Sequence, residues 1–146
     1  MNTKTTSQKE LEDINVISKI KLAALWIAFM FIYIYVDYLH LYMPSKINDI
    51  LKGKVFEFDI TQGFLLIALL SMTIPTLMIF FSIALPVKVN RLTNILVASI
   101  YIPYMLFNLV GETWLHMIFG AFVELTLLCL IICYAWKWRI NKENQN

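Results

Sequence analysis

The chain has 146 residues, of which 60% are hydrophobic and 15% are charged, and its mean hydropathy is +0.69. A soluble domain is ordinarily about half apolar and about a quarter charged, so this composition excludes a water-soluble globular protein. The formal net charge of +2 gives no indication of a nucleic-acid partner, and two cysteines cannot build a disulfide framework. The partner that the composition predicts is therefore the lipid bilayer.

Four apolar stretches are each long enough to cross a membrane. A hydrocarbon core about 30 Å thick needs a helix of roughly 20 residues. Backbone groups inside the bilayer must be satisfied within the protein, and the stretches lack the alternating pattern of a membrane β-barrel, so helices are predicted. The predicted spans are residues 22–42, 64–85, 92–110 and 114–138. We expect an all-α membrane protein folded as an antiparallel bundle of four transmembrane helices.

The distribution of Lys and Arg predicts the orientation of the bundle. Nine of the twelve basic residues lie before the first span, between the second and third spans, or after the fourth. Because basic residues concentrate in cytoplasmic segments, both termini are predicted to be cytoplasmic. Residues 1–21 then form a cytoplasmic interfacial segment, residues 22–138 the transmembrane domain, and residues 139–146 a cytoplasmic tail. Tryptophans at the span ends, including Trp26 and Trp138, are predicted to anchor at the headgroups.

The connection at residues 43–63 is predicted to lie on the outer surface as a partial lid over the bundle. Its apolar residues recur on one face of a short helix that stops at Gly53. Asp59 and Thr61 are both candidates to cap the second span, because their side-chain oxygens can accept from the first backbone N–H groups of a helix.

Polar residues in and beside the spans concentrate towards the predicted outer surface. Ionisable groups at mid-bilayer cost several kcal/mol, so each one raises a functional question. Glu124 falls near the midplane of the fourth span, where it must be protonated, paired, or hydrogen-bonded to another helix. Asn94, Asn108 and a histidine are the candidate partners for it. The predicted ligand-binding residues are Asp37, His40, Gln62, Asn108, Glu112, His116 and Glu124.

This set of polar residues has two interpretations. Convergent polar groups beneath a lid are typical of a pocket between helices, whereas side chains that simply reach the headgroups would give the same pattern. No metal site is predicted, because the sequence has no His-x-x-x-His or Glu-x-x-His pair on one helix. It indicates no particular cofactor, and no nucleophile, base and orienting group are recognisable, so an enzyme is not the default expectation.

Four short motifs carry a resemblance to a known family. They are YIYVD (residues 33–37), ITQGF (60–64), LPVKVNR (85–91) and YAWKW (134–138). Over residues 20–139 the chain resembles a family of small bacterial four-helix membrane proteins known only as a domain of unknown function. The architecture of that family is similar to the DoxX-like proteins, some of which are quinone-linked or redox-associated membrane subunits. The resemblance implies a multi-pass protein of the bacterial inner membrane.

Three classes of function are open at this point. The first is a small integral membrane protein whose polar pocket near the outer face binds a small or lipophilic ligand, with a redox-associated role implied by the resemblance. The second is a small multidrug-type exporter that couples transport to protonation of a membrane carboxylate. The third is a noncatalytic accessory or scaffold subunit. A homo-oligomer is compatible with each class.

Overall fold

The computed structural model describes residues 3–55 and 58–138, with side chains from residue 16 onward in those ranges. The predicted cytoplasmic tail at residues 139–146 lies outside the described residues. Apart from one minimal β-hairpin, the regular structure is helical, and the predicted α class is confirmed. The elements are α1 (Thr3–His40), α2 (Lys46–Leu51), β1 (Lys54–Val55), β2 (Phe58–Asp59), α3 (Gln62–Ala84), α4 (Val87–Asn108) and α5 (Leu115–Lys137).

Within the described residues, three helices are long and apolar enough to cross a membrane. They are the Val16–His40 part of α1, all of α3 and all of α5. Membrane-spanning character, which the composition predicted, is thus supported by three of the four predicted spans. The remaining helix, α4, has 22 residues but a lower hydropathy, because polar residues such as Asn90 and Asn94 interrupt it.

Helix α1 is continuous from Thr3 to His40, so the predicted N-terminal segment and the first span form one helix. The buried residues of its described side chains recur at helical spacing and define one packed face. They are Leu22, Ala23, Trp26, Phe29, Met30 and Tyr33. The placement of the first residues of α1 at the membrane interface stays a prediction.

The four long helices form an antiparallel bundle. Helix α1 packs against α3 and α5, α5 also packs against α4, and α3 and α4 contact each other more sparsely. The opposite directions of α1 and α3 are shown by contacts such as the hydrogen bond that Lys19 Nζ donates to the carbonyl of Ile83 at 3.0 Å. This bond joins the early part of α1 to the end of α3. We call the end with the α3–α4 turn and the last residues of α5 the terminal end. The opposite end, with α2 and the β-hairpin, is the hairpin end.

A buried hydrogen-bond network joins α1, α3 and α4 towards the terminal end. Asn94 Oδ1 accepts from Trp26 Nε1 at 2.7 Å and from Ser82 Oγ at 3.2 Å. Asn94 Nδ2 donates to the backbone and side-chain oxygens of Asn90, and Asn90 Nδ2 donates to the carbonyl of Ser82 at 2.6 Å. All four side chains have 0% exposure. Asn90 and Asn94 of α4 therefore point into the bundle, and Asn94 is engaged in this network rather than with Glu124.

Two of the tryptophans predicted to anchor at the headgroups are buried instead. Trp26 is 0% exposed and Trp138 is 3% exposed, so that prediction was wrong for both. The reason for Trp26 is its hydrogen bond to Asn94 and its edge-on contact with Phe29, whose ring centre lies 5.8 Å away. Trp136, by contrast, is exposed beside the guanidinium of Arg91 at the terminal end, with 5.8 Å between the guanidinium carbon and the ring centre.

Helix α3 contains Pro75, and α4 compensates for the N–H that proline lacks. In a regular helix the N–H at position 75 would donate to the carbonyl of Ser71, four residues earlier. The hydroxyl of Tyr101 on α4 donates to that carbonyl instead. The proline is therefore accommodated by a hydrogen bond between helices, close to the middle of the bundle.

The hairpin end contains the predicted short helix and one feature that the sequence analysis missed. Helix α2 ends just before Gly53, whose φ of 77° lies in the left-handed region that glycine tolerates. The chain then forms a two-stranded antiparallel hairpin in which Lys54 pairs with Asp59. Of the two predicted caps for α3, Thr61 is the one observed, since its Oγ1 accepts from Phe64 N at 3.1 Å. No residue of α2 is buried, so its role as a lid stays a prediction.

Candidate functional site

A small cavity opens between α1, α4 and α5 in the hairpin half of the bundle. Its volume is about 30 Å³, enough for one or two water molecules. Three of the seven predicted site residues line it: Asp37 from α1, Asn108 from α4 and Glu124 from α5. The full lining is Tyr33, Val36, Asp37, Met105, Asn108, Leu109, Met117, Ala121 and Glu124. We call Asp37, Asn108 and Glu124 together the acidic site.

Glu124 lies at the back of this cavity. It belongs to the buried face of α5, between Ala121 and Leu128 at helical spacing, and only 4% of its surface is exposed. Among the described residues its Oε1 atom has no hydrogen-bond partner although it is fully buried. Buried polar atoms are nearly always hydrogen-bonded, because an unsatisfied one costs roughly 1–3 kcal/mol, or more if charged. This oxygen can therefore accept a hydrogen bond from a water, a ligand or another proton donor.

Asp37 and Asn108 lie at the mouth of the cavity, where both side chains are exposed. Asp37 is one helical turn beyond Tyr33 on α1, which places both residues on the side that faces α5. Asp37 and Glu124 therefore line the same cavity from two different helices. The acidic site therefore has one carboxylate at the surface, that of Asp37, and a second one deeper in the cavity, that of Glu124.

A close approach of α1 and α5 fixes the position of these two carboxylates. Gly120 of α5 lies directly against Val36 of α1, and a Cβ atom at Gly120 would collide with the Val36 side chain. Val36 precedes Asp37, and Gly120 is one turn before Glu124. The absence of a side chain at position 120 thus allows the two acidic residues to face one small cavity.

Aromatic side chains close the cavity towards the terminal end. The Tyr33 hydroxyl lies 3.4 Å from the Tyr104 hydroxyl, which is also 3.4 Å from Ser71 Oγ. One turn deeper, Phe29 stacks on Tyr33 with ring centres 6.0 Å apart and meets Tyr101 edge-on at 6.1 Å. Since Phe29 is fully buried, as is Leu128 one turn below Glu124 on α5, an apolar layer separates the acidic site from the Asn94 network. Access to Glu124 is therefore from the side of Asp37 and Asn108.

The other four predicted site residues do not line this cavity. Gln62 is an exposed first residue of α3. His40, at the end of α1, interacts electrostatically with Glu112 and His116 at the hairpin end of the bundle. His116 lines a separate, shallow groove with Thr113, Trp114 and Leu115. Within the described ranges, no group of three or more His, Cys, Asp or Glu side chains is arranged to hold a metal ion.

The sequence analysis did not single out most of the apolar lining of the cavity. Helical spacing would have found part of it, because Tyr33 and Val36 are four and one residues before Asp37, and Ala121 is three before Glu124. Met105 and Met117 carry no such signal, since apolar residues also cover the lipid-facing sides of these helices. Their position depends on how the helices pack.

The fold and the acidic site together define a helical membrane-type protein with a carboxylate pair at a small interior cavity. The family model described as "Family of unknown function (DUF6326)" matches residues 12–145. The chain belongs to this family, which confirms the predicted membership of a family of unknown function. Comparison with curated proteins and with solved structures finds no match. The similarity to DoxX-like proteins stays a prediction.

Proposed function

We propose that this protein is a four-span membrane protein that binds a small polar solute at the acidic site. The observation that carries the proposal is the buried, unpartnered Oε1 of Glu124 beside a cavity that it shares with Asp37. Ionisable residues are retained within membrane spans chiefly where they face a bundle interior or a water-filled cavity and serve a function. Glu124 lies in a predicted span and faces such a cavity.

The packing of α4 supports four spans rather than three. With 22 residues it is as long as its neighbours, and it runs antiparallel to both α3 and α5. Part of its low hydropathy comes from Asn90 and Asn94, whose amides are satisfied inside the bundle and do not face lipid. A helix with such a buried polar side can cross a bilayer without exposing polar groups to the hydrocarbon.

The charge distribution supports a cytoplasmic terminal end. Most of the basic residues at the described ends of the bundle lie towards the terminal end. They are Lys19, Lys21, Lys88, Arg91 and Lys137. In a bacterial inner membrane this orientation leaves the acidic site open to the external side. A periplasm-active reporter inserted at Gly53 should be active, and a cytoplasm-active reporter fused at Asn146 should be active as well. The reverse pattern would place the acidic site on the cytoplasmic side.

The size of the cavity favours a small polar solute over a lipophilic one. Sites for drug-sized ligands or quinones measure roughly 300–1,000 Å³, whereas this cavity measures about 30 Å³. Its polar groups come from the acidic site itself. A solute comparable in size to water is the one that fits between Asp37 and Glu124.

Carbodiimide labelling tests whether Glu124 forms an accessible site. Dicyclohexylcarbodiimide enters membranes and modifies protonated carboxyl groups in apolar surroundings. We expect mass spectrometry of the wild-type protein in native membranes to find the adduct at Glu124. The Glu124→Gln variant should lose it, and the Glu112→Gln variant, altered outside the cavity, should retain it. An unmodified Glu124 in a protein whose other carboxyl groups react would contradict the proposal.

The same reagent class separates a one-sided site from an exporter. A membrane-impermeant carbodiimide should modify Asp37, the exposed carboxyl at the mouth of the cavity, only from the external side, because the layer around Phe29 and Leu128 closes the other direction. Reaction of Asp37 from both sides of the membrane would favour a proton-coupled exporter instead.

A further inference from the structure

We infer that the acidic site binds one monovalent metal cation of about the size of sodium. This inference rests on the proposed function and specifies its solute. It assigns Glu124 and Asp37 as the charged ligands and Asn108 as a neutral oxygen ligand.

The charge of the site points to a cation. Two carboxyl groups line the cavity, and no Lys, Arg or His side chain lines it. Asp37 and Glu124 line one small cavity, so two ionised carboxylates there would repel each other. A bound cation removes this repulsion, since it lies between the two negative charges.

The buried oxygen of Glu124 is an independent observation that points to a ligand. This side chain is only 4% exposed, and its Oε1 lacks a partner among the described residues. A buried carboxylate is tolerated when it is paired or coordinates a metal ion. The geometry thus leaves one lone-pair-bearing oxygen at the position where a cation entering past Asp37 would stop.

The dimensions of the cavity and the number of oxygen ligands favour a monovalent ion. Calcium takes 6–8 oxygen ligands, and magnesium retains several waters, but the acidic site offers oxygens from three side chains, with the Tyr33 hydroxyl nearby. Organic ammonium ions exceed a cavity of about 30 Å³. A small alkali ion, whose shell is completed by waters at the open mouth, matches both the volume and the single negative charges of the ligands.

Protection of Glu124 from dicyclohexylcarbodiimide tests the inference. Wild-type protein is labelled in membranes at constant ionic strength while sodium chloride replaces choline chloride. We expect the rate of labelling at Glu124 to fall saturably with sodium, because a bound cation occupies the carboxyl oxygens. Choline, which is too large for the cavity, should give no protection, and potassium should protect less than sodium.

Two matched variants localise the effect. Asp37→Asn removes one charged ligand without changing side-chain size, so labelling of Glu124 should persist while protection by sodium is weakened or lost. Glu112→Gln removes a negative charge outside the cavity and should leave protection unchanged. Equal protection in wild type and Asp37→Asn would overturn the assigned ligands.

The outcomes separate this inference from the proposed function. Labelling of Glu124 that no alkali cation affects, or that choline reduces equally, overturns the cation site and leaves an accessible acidic site in place. Potassium protecting as well as sodium overturns the size assignment. If Glu124 is not labelled at all, the proposed function fails. The inference is then tested by the thermal unfolding midpoint of the purified protein in sodium chloride. A rise of this midpoint that is specific to sodium and that Asp37→Asn abolishes supports the inference, and the absence of such a rise overturns it.

Discussion

The hydrogen-bond network around Asn94 gives the sharpest test of the fold. We consider Asn94→Leu, which keeps the approximate volume of the side chain and removes its polar atoms. Asn94 Oδ1 holds Trp26 of α1 and Ser82 of α3 against α4 at 2.7 and 3.2 Å. The substitution therefore removes one polar connection of α4 to α1 and one to α3 at once.

The expected loss of stability follows from these two bonds. Hydrogen bonds between membrane helices contribute about 0.6 kcal/mol on average and up to about 1.7 kcal/mol. Loss of both bonds should lower the free energy of unfolding by about 1–3 kcal/mol. The upper part of this range is favoured because Trp26 is 0% exposed and its N–H would be left without a partner.

The assay is reversible unfolding of the purified protein in mixed micelles, followed by tryptophan fluorescence and circular dichroism. Thr93→Val is the matched control, since the hydroxyl of Thr93 bonds only to carbonyls of α4 itself, those of Val89 and Asn90. This control should change the free energy of unfolding by less than about 0.5 kcal/mol. A double-mutant cycle with Trp26→Phe then isolates the bond between α1 and α4.

Two results would refute the reasoning. Asn94→Leu as stable as the wild type would mean that the three helices are held without this network. Strict additivity of Asn94→Leu and Trp26→Phe would mean that the two side chains do not interact, and the relative placement of α1 and α4 would be wrong.

Three further substitutions test other contacts of the bundle. Gly120→Ala should lower the free energy of unfolding by about 1–3 kcal/mol through overpacking, and adding Val36→Ala should restore much of that free energy. Failure of this rescue in unfolding assays would contradict the close approach of α1 and α5. Tyr101→Phe should lower stability by about 0.6–1.7 kcal/mol because it leaves the carbonyl of Ser71 unpaired, and unchanged unfolding would show that this bond is unimportant. Glu124→Gln should retain near-wild-type thermal stability, whereas Glu124→Lys should reduce membrane insertion and assembly. The yield in the membrane fraction and the size-exclusion profile measure both effects. A fully assembled Lys variant would mean that this side chain lies in water.

Span length and composition determined the helices before any coordinates were considered. The predicted spans at residues 22–42, 64–85 and 114–138 overlap the apolar helices observed, because twenty or so apolar residues in succession fold only as helices in a bilayer. The depth of Asp37 and Glu124 also follows from their positions along the helices. The short helix before Gly53 was readable from local spacing and a glycine.

Tertiary packing decided which side of each helix faces the interior. In a soluble protein the polar side of a helix marks the solvent, so periodicity reveals the buried face. Here both lipid and the bundle interior are apolar, and the sequence pattern does not distinguish them. For this reason Trp26 was assigned to the headgroups and Asn94 was one of the candidate partners of Glu124, although Trp26 and Asn94 bond to each other.

The same ambiguity explains the division of the seven predicted site residues. Position along the chain placed six of them towards one surface and Glu124 near the midplane. Only the rotation of α1, α4 and α5 about their axes brings Asp37, Asn108 and Glu124 to one cavity. The contact of Gly120 with Val36 sets the approach of α1 and α5, and nothing in the sequence alone identifies Val36 as the neighbour of that glycine. The sequence thus determined the depth of each polar group through the length of its helix. The packing of side chains between helices determined which of those groups meet, because that packing depends on residues far apart in the chain.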